Sequence, residues 1–127
     1  MRCLTLEIRW KVTDPLDNEV FLTEKVYKDH ICGDHADNDS EVRKMLEEHV
    51  KYSLQRPRFI VKAPNFEGRR VYLDLADMLR DDKIHVRPLF IVTESDGKVI
   101  TWFAKRTTNV KIPQYGGILY DERTHRL

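Results

Sequence analysis

Cysteine is scarce in this chain, with two in 127 residues, Cys3 and Cys32. Two thiols cannot build the multi-bridge framework that holds small secreted domains together. The first residues run straight into an alternating pattern without an export signal, so both cysteines are expected to stay reduced and the chain to be cytoplasmic. Long hydrophobic runs are missing too. The longest, Leu89-Phe90-Ile91-Val92, falls far short of the roughly 20 residues a membrane-crossing helix needs. Net charge is almost nil at +1, which argues against indiscriminate attraction to nucleic acid or membrane. Also absent are a Gly-rich phosphate loop, G-x-S-x-G, H-E-x-x-H and a paired-carboxylate motif. Catalytic residues are therefore assigned to no position, and a non-catalytic role is expected.

What is present describes a globular chain. Hydrophobic residues make up 41% and charged residues 34%, a composition that buries a core beneath a well-solvated exterior. The length fits one domain, 1–127, able to bury roughly two thirds of its unfolded surface. Leu4, Leu6, Ile8, Trp10 and Val12 alternate with polar residues, which predicts a half-buried strand. Asp14-Pro15-Leu16-Asp17-Asn18 is turn chemistry. Val20 to Lys28 reads as the return strand, with Trp10 opposite Leu22, and Asp29 to Asp39 as a polar loop. Asn38 and Glu41 resemble a capping box. Val42, Met45, Leu46, His49, Val50 and Leu54 then recur at helical spacing, predicting one amphipathic helix over about 40–54, stopped by Pro57.

Phe59-Ile60-Val61 predicts a short strand, followed by a turn over Asn65 to Gly68. Val71, Leu73 and Leu75 alternate as a further strand, with a short helical stretch expected to end near Leu79. Pro88 to Thr93 and Lys98 to Ala104 flank Ser95-Asp96-Gly97, a strong hairpin signal. In the tail, 107–127, Ile118-Leu119-Tyr120 predicts a docked edge strand. The fold class expected is α+β: a mainly antiparallel sheet of five to six strands with the 40–54 helix packed on one face.

Charge is segregated along the chain. Residues 29–48 carry seven acids against two bases, and residues 49–70 six bases against one acid. Arg56, Arg58, Lys62, Arg69 and Arg70, near Phe59, Phe66 and Tyr72, have the composition of a basic surface with stacking rings, as single-strand nucleic-acid binders require. The ordinary reading is solvated arginines beside a core. On the last hairpin, Ile100 and Trp102 occupy one face while Val99, Thr101 and Phe103 occupy the other. A strand apolar on both sides is either sandwiched or partner-binding, and Trp102 with Phe103 are the candidates for docking a protein partner or a second copy.

Metal chemistry has one constellation. His30, Cys32 and His35 stand as H-x-C-x₂-H, and the hairpin register brings Cys3 close to Asp29 and His30. Those four are borderline ligands for one tetrahedral zinc. A solvated acidic loop with two histidines is the plainer reading, and no cofactor is expected. Acid–base candidates without a selecting pattern are His49, His85 and His125, with Arg87, Lys105 and Arg106 as phosphate clamps.

The function expected is an interaction module or accessory factor binding a protein partner or itself. The alternative is a nucleic-acid-directed protein, a single-strand binder or metal-free nuclease, using 56–70. The alternation centred on Trp10 predicts that Trp10→Ala lowers stability by about 3–5 kcal/mol, as large-to-small core truncations do. Urea denaturation checks this, and an unchanged midpoint would mean that the strand faces the other way.

Overall fold

The computed structural model describes residues 7–33, 38–63, 66–80, 83–104 and 117–125, with backbone alone at 32–33, 38–41, 77–80, 85 and 124–125. Its first unit is a hairpin of β1 (Ile8–Thr13) and β2 (Glu19–Thr23), antiparallel, with Trp10 opposite Leu22 as the alternation requires. The turn between them is organised by Asp14. Its Oδ1 accepts from the backbone N–H groups of Leu16 and Asn18, both at 2.9 Å, the local bonding that makes Asx residues turn formers.

The expected return strand through Lys28 stops short, at Thr23. The Thr23 hydroxyl accepts from Val26 N at 3.2 Å and caps a one-turn helix, α1 (Glu24–Val26). Thr at the cap and Glu behind it are helix-start chemistry. A π-helix, Tyr27–Gly33, takes the place of the first part of the expected polar loop. It buries Ile31 completely, which gives this otherwise polar segment its anchor. The expected capping box of Asn38 and Glu41 lies outside the described side chains.

The predicted helix is present in two pieces, α2 (Asn38–Met45) and α3 (Glu47–Gln55). Leu46 is the joint, its N–H shared between the carbonyls of Val42 and Arg43 at 3.2 Å each. Leu46, Val50 and Leu54 are buried and Met45 is exposed, so the apolar stripe is narrower than the spacing implies. The stop comes at Gln55, with Arg56 out of helical geometry before Pro57, as proline demands of its predecessor.

The main sheet comprises β3 (Phe59–Lys62), β4 (Arg70–Arg80), β5 (Lys83–Thr93), β6 (Val99–Ala104) and β7 (Ile118–Asp121). Its order is β6-β5-β4-β3-β7, antiparallel throughout, with β7 at the edge. The short helix expected near Leu79 does not form. Residues through Arg80 pair one for one with β5, ending at Arg80↔Lys83, and a full ladder overrides the weak helical preference of Ala76 to Leu79. A last short helix, α4 (Glu122–His125), leaves β7.

One face of this sheet is covered by the hairpin, the π-helix, α2 and α3. Trp102, fully buried, stacks on half-buried Trp10 with ring centroids 6.4 Å apart and donates its indole N–H to Arg43 O at 2.8 Å. Trp10 in turn donates to Glu47 at 2.8 Å. Arg9 bonds the same carboxylate, and it lies 3.7 Å above the Tyr27 ring. Burial pushes the Glu47 carboxyl up, but the bonds from Arg9 and Trp10 outweigh it and hold the group below the ordinary glutamate range. Gly97 joins the hairpin to the sheet: its carbonyl accepts from Phe21 N at 2.9 Å. A Cβ there would stand 2.0 Å from Glu19 O, and its φ of +95° suits glycine alone.

The Tyr72 hydroxyl donates to Asp14 Oδ2 at 2.6 Å inside this layer. Burial first, then that bond, pushes the hydroxyl well above the ordinary tyrosine range. A raised value means that the neutral form is favoured by folding. Its contribution is therefore complete below about pH 10 and lost as pH rises beyond it. Tyr72→Phe is expected to cost about 1–3 kcal/mol at neutral pH by leaving a buried carboxylate short of a donor. Denaturant titrations of both proteins should converge as pH climbs above about 10, and parallel pH curves would disprove the linkage.

Candidate protein-interaction surface

The strands of the main sheet have unequal lengths, and that inequality creates the most distinctive surface. β4 and β5 are eleven residues each, whereas among the described residues β3 pairs with β4 as far as Leu73 and β6 with β5 as far as Leu89. Beyond those rows, among the described residues, β4 and β5 pair only with each other. Six rows, Leu75↔Pro88 to Arg80↔Lys83, form a two-stranded arm beyond the described pairings of β3 and β6.

Side chains alternate across such an arm, and opposed residues share a face. Leu75, Val86 and Ile84 therefore continue the face that carries Leu73 and Phe90, away from the helices. Within the sheet that face is a buried cluster of Val61, Val71, Leu73 and Phe90. On the arm it is open to water, with Ile84 72% and Val86 49% exposed. Phe103 stands on the same face at the edge of the sheet, 36% exposed and stacked on Phe90 at 5.3 Å. Of the two hairpin residues expected to meet a partner, Phe103 is at the surface. Trp102 is fully buried because the helices and the first hairpin close over its side of β6.

The basic residues divide into two groups at opposite ends of β3. Arg56 and Arg58 line a cleft of about 470 Å³ with Tyr52, Asp74, Tyr120 and Glu122. Arg58 is 3.3 Å from Asp74, which also accepts from buried Ser53 at 2.6 Å. Lys62, Arg69 and Arg70 line a second cleft, of about 410 Å³, with Phe66 and Ser95. Arg69 is 3.7 Å from Glu94 and 4.2 Å above the exposed Phe66 ring. Among the described residues two of the five cations thus have carboxylate partners. Of the three rings, Tyr72 is buried and Phe59 packs in the second core cluster, beneath Arg123. Phe66 alone of these three offers an open face.

His30 is exposed on the π-helix, while Cys3 and His35, and the side chain of Cys32, lie outside the described residues. So do the side chains of His85, His125, Lys105 and Arg106. Among the described residues no cluster of three His, Cys, Asp or Glu groups could hold a metal, and no helix is long and apolar enough to cross a membrane. His49 Nε2 lies 2.9 Å from Leu75 O. A carbonyl can only accept, so this nitrogen carries the proton and donates, a structural bond on the helix side of β4.

The arm has a signal in the sequence: Ile84 and Val86 alternate with Lys83, His85 and Arg87, a period of two directly before the apolar run at Leu89. Comparison with protein-family models, with curated proteins and with solved structures returns no match for this chain.

Replacing Arg56, Arg58, Arg69 and Arg70 together by Gln is expected to lower stability modestly, since exposed ion pairs such as Arg58–Asp74 contribute about 0–1 kcal/mol each. Elution from an immobilised polyanion should move to lower salt. A large fall in melting temperature would mean that these arginines serve the fold.

Proposed function

We propose that this chain is a non-catalytic protein-interaction module whose docking surface is the β4–β5 arm together with Phe103. The observation that carries the reading is the exposure of Leu75, Ile84, Val86 and Phe103 on one face of the main sheet. Apolar side chains exposed on one face favour a binding surface, because leaving them in water forgoes about 25 cal/mol per Å².

The second reading, nucleic-acid binding, is favoured by the cleft around Lys62, Phe66, Arg69 and Arg70. It is weakened by the carboxylates beside Arg58 and Arg69 and by the placing of the exposed rings of Tyr52 and Phe66 in separate clefts, since strand binders stack successive bases.

Changing Ile84 and Val86 together to Ser tests the first reading. Both side chains are exposed, so the melting temperature is expected to stay within about 2 °C. Recovery of partners on immobilised protein should be lost. Unchanged recovery, combined with a shift of labelled single-stranded RNA whose log affinity falls linearly with log salt, would move the function to the basic cleft.

A further inference from the structure

Resting on the reading of the arm as a docking surface, we propose that the outward edge of β5, Lys83 to Pro88, accepts an extended peptide segment alternating acidic and apolar residues, which adds to the sheet as one more strand. The direction of the backbone groups follows from the bonds to β3. Leu73 O accepts from Arg58 N and Arg69 O from Ala63 N, so the odd-numbered residues of β4 face β3 and the even-numbered ones bond β5. By register, the odd-numbered residues of β5 answer β4, and the even-numbered ones face outward. Phe90 uses its outward groups on β6. Ile84 and Val86 lie beyond the end of β6, and among the described residues nothing bonds their outward N–H and C=O groups. Pro88, which has no N–H, separates this free stretch from the β6 ladder.

The opposite edge of the arm is treated differently. Where β3 ends, the first outward pair on β4 belongs to Leu75. Its N–H donates to Asp74 Oδ1 at 2.8 Å and its carbonyl accepts from His49. Folded proteins blunt exposed strand edges in this way, because a row of free donors and acceptors templates another strand. The first position on one edge is satisfied by side chains, whereas among the described residues nothing pairs with the β5 edge.

Charge selects the occupant. Along the open edge Ile84 and Val86 project to one face, while Lys83 and Arg87 take the other with position 85 between them. Among the described residues neither Lys83 nor Arg87 has a carboxylate partner. Arg80 is opposite Lys83 in the register, adding a third cationic position to that face. A strand with acids on one side and apolar residues on the other matches both faces at once, with main-chain bonds supplying affinity and alternate side chains specificity. A second copy of this chain matches poorly. The register that engages both Ile84 and Val86 sets Lys83 opposite Arg87 of the copy, and like charges directly opposed across strands are destabilising.

The test titrates the full chain into fluorescein-labelled short peptides that alternate glutamate with valine, or lysine with valine, and reads anisotropy. Saturable binding of the glutamate peptide is expected, with little for the lysine peptide. Val86→Pro deletes an outward N–H without touching a bond to β4, so it should abolish binding while the melting temperature holds. Lys83→Glu with Arg87→Glu should weaken the glutamate peptide by about tenfold or more and admit the lysine peptide. Equal binding of both peptides, or full binding by a folded Val86→Pro variant, overturns the proposal. No peptide binding, with a dimer in light scattering that Val86→Pro dissolves, replaces the peptide by a second copy and keeps the arm as the docking surface. Peptide and copy both failing, with partner recovery indifferent to the paired Ser changes at Ile84 and Val86, removes the proposal and the reading beneath it together.

Discussion

A carboxylate only 3% exposed must find donors on every side, because burying an unanswered charge costs far more than a typical fold has to spare. Asp14 finds them in two places. Backbone N–H groups of Leu16 and Asn18 come from its own turn, and the Tyr72 hydroxyl reaches it from β4, 58 residues away in the chain. The first requirement shapes the β1–β2 turn and the second fixes where that hairpin lies against the main sheet. Once Asp14 is seated, Phe21 comes beside Gly97 and Trp10 against Trp102. The layer that covers the sheet is thus pinned by polar contacts, of which Asp14–Tyr72 is the most buried, and filled by apolar ones.

Much of this architecture is legible in the chain, and the misses have physical causes. Strands whose alternation is unopposed, around Trp10 and Val71, read correctly because little besides a half-buried strand produces a period of two. The Asp-Gly turn and the stop at Pro57 read correctly because backbone geometry, not context, enforces them. Thr23 is harder: a β-branched residue continues a strand pattern, yet its hydroxyl can also cap a helix, and here the cap prevails. Residues 76–79 form strand because β5 offers a complete ladder, information held further along the chain at residues 84–87. The π-helix has no local signature beyond the burial of Ile31.

The candidate surface is legible only in part. Composition draws attention to arginines at 56, 58, 69 and 70, but a strand separates the first pair from the second, and Asp74 and Glu94, distant in sequence, approach one member of each. Phe103 and Trp102 are neighbours in sequence on opposite faces, so one belongs to the core and one to the surface. Which is which depends on where the helices pack. The arm emerges from a comparison of strand lengths, a quantity that no single segment contains.

β7 closes the sheet at the opposite edge from β6, and its partner strand precedes it by some sixty residues, as in Phe59↔Asp121. The hairpins β1–β2, β4–β5 and β5–β6 each join segments close in sequence and can form on the timescale of local contacts. β7 must instead close a long loop before its bonds repay the lost entropy. The order of assembly therefore leaves the outer edge of β3, with Ile60 and Lys62 facing outward, as the last ladder to be covered. Until then that edge, too, can pair with a stranger.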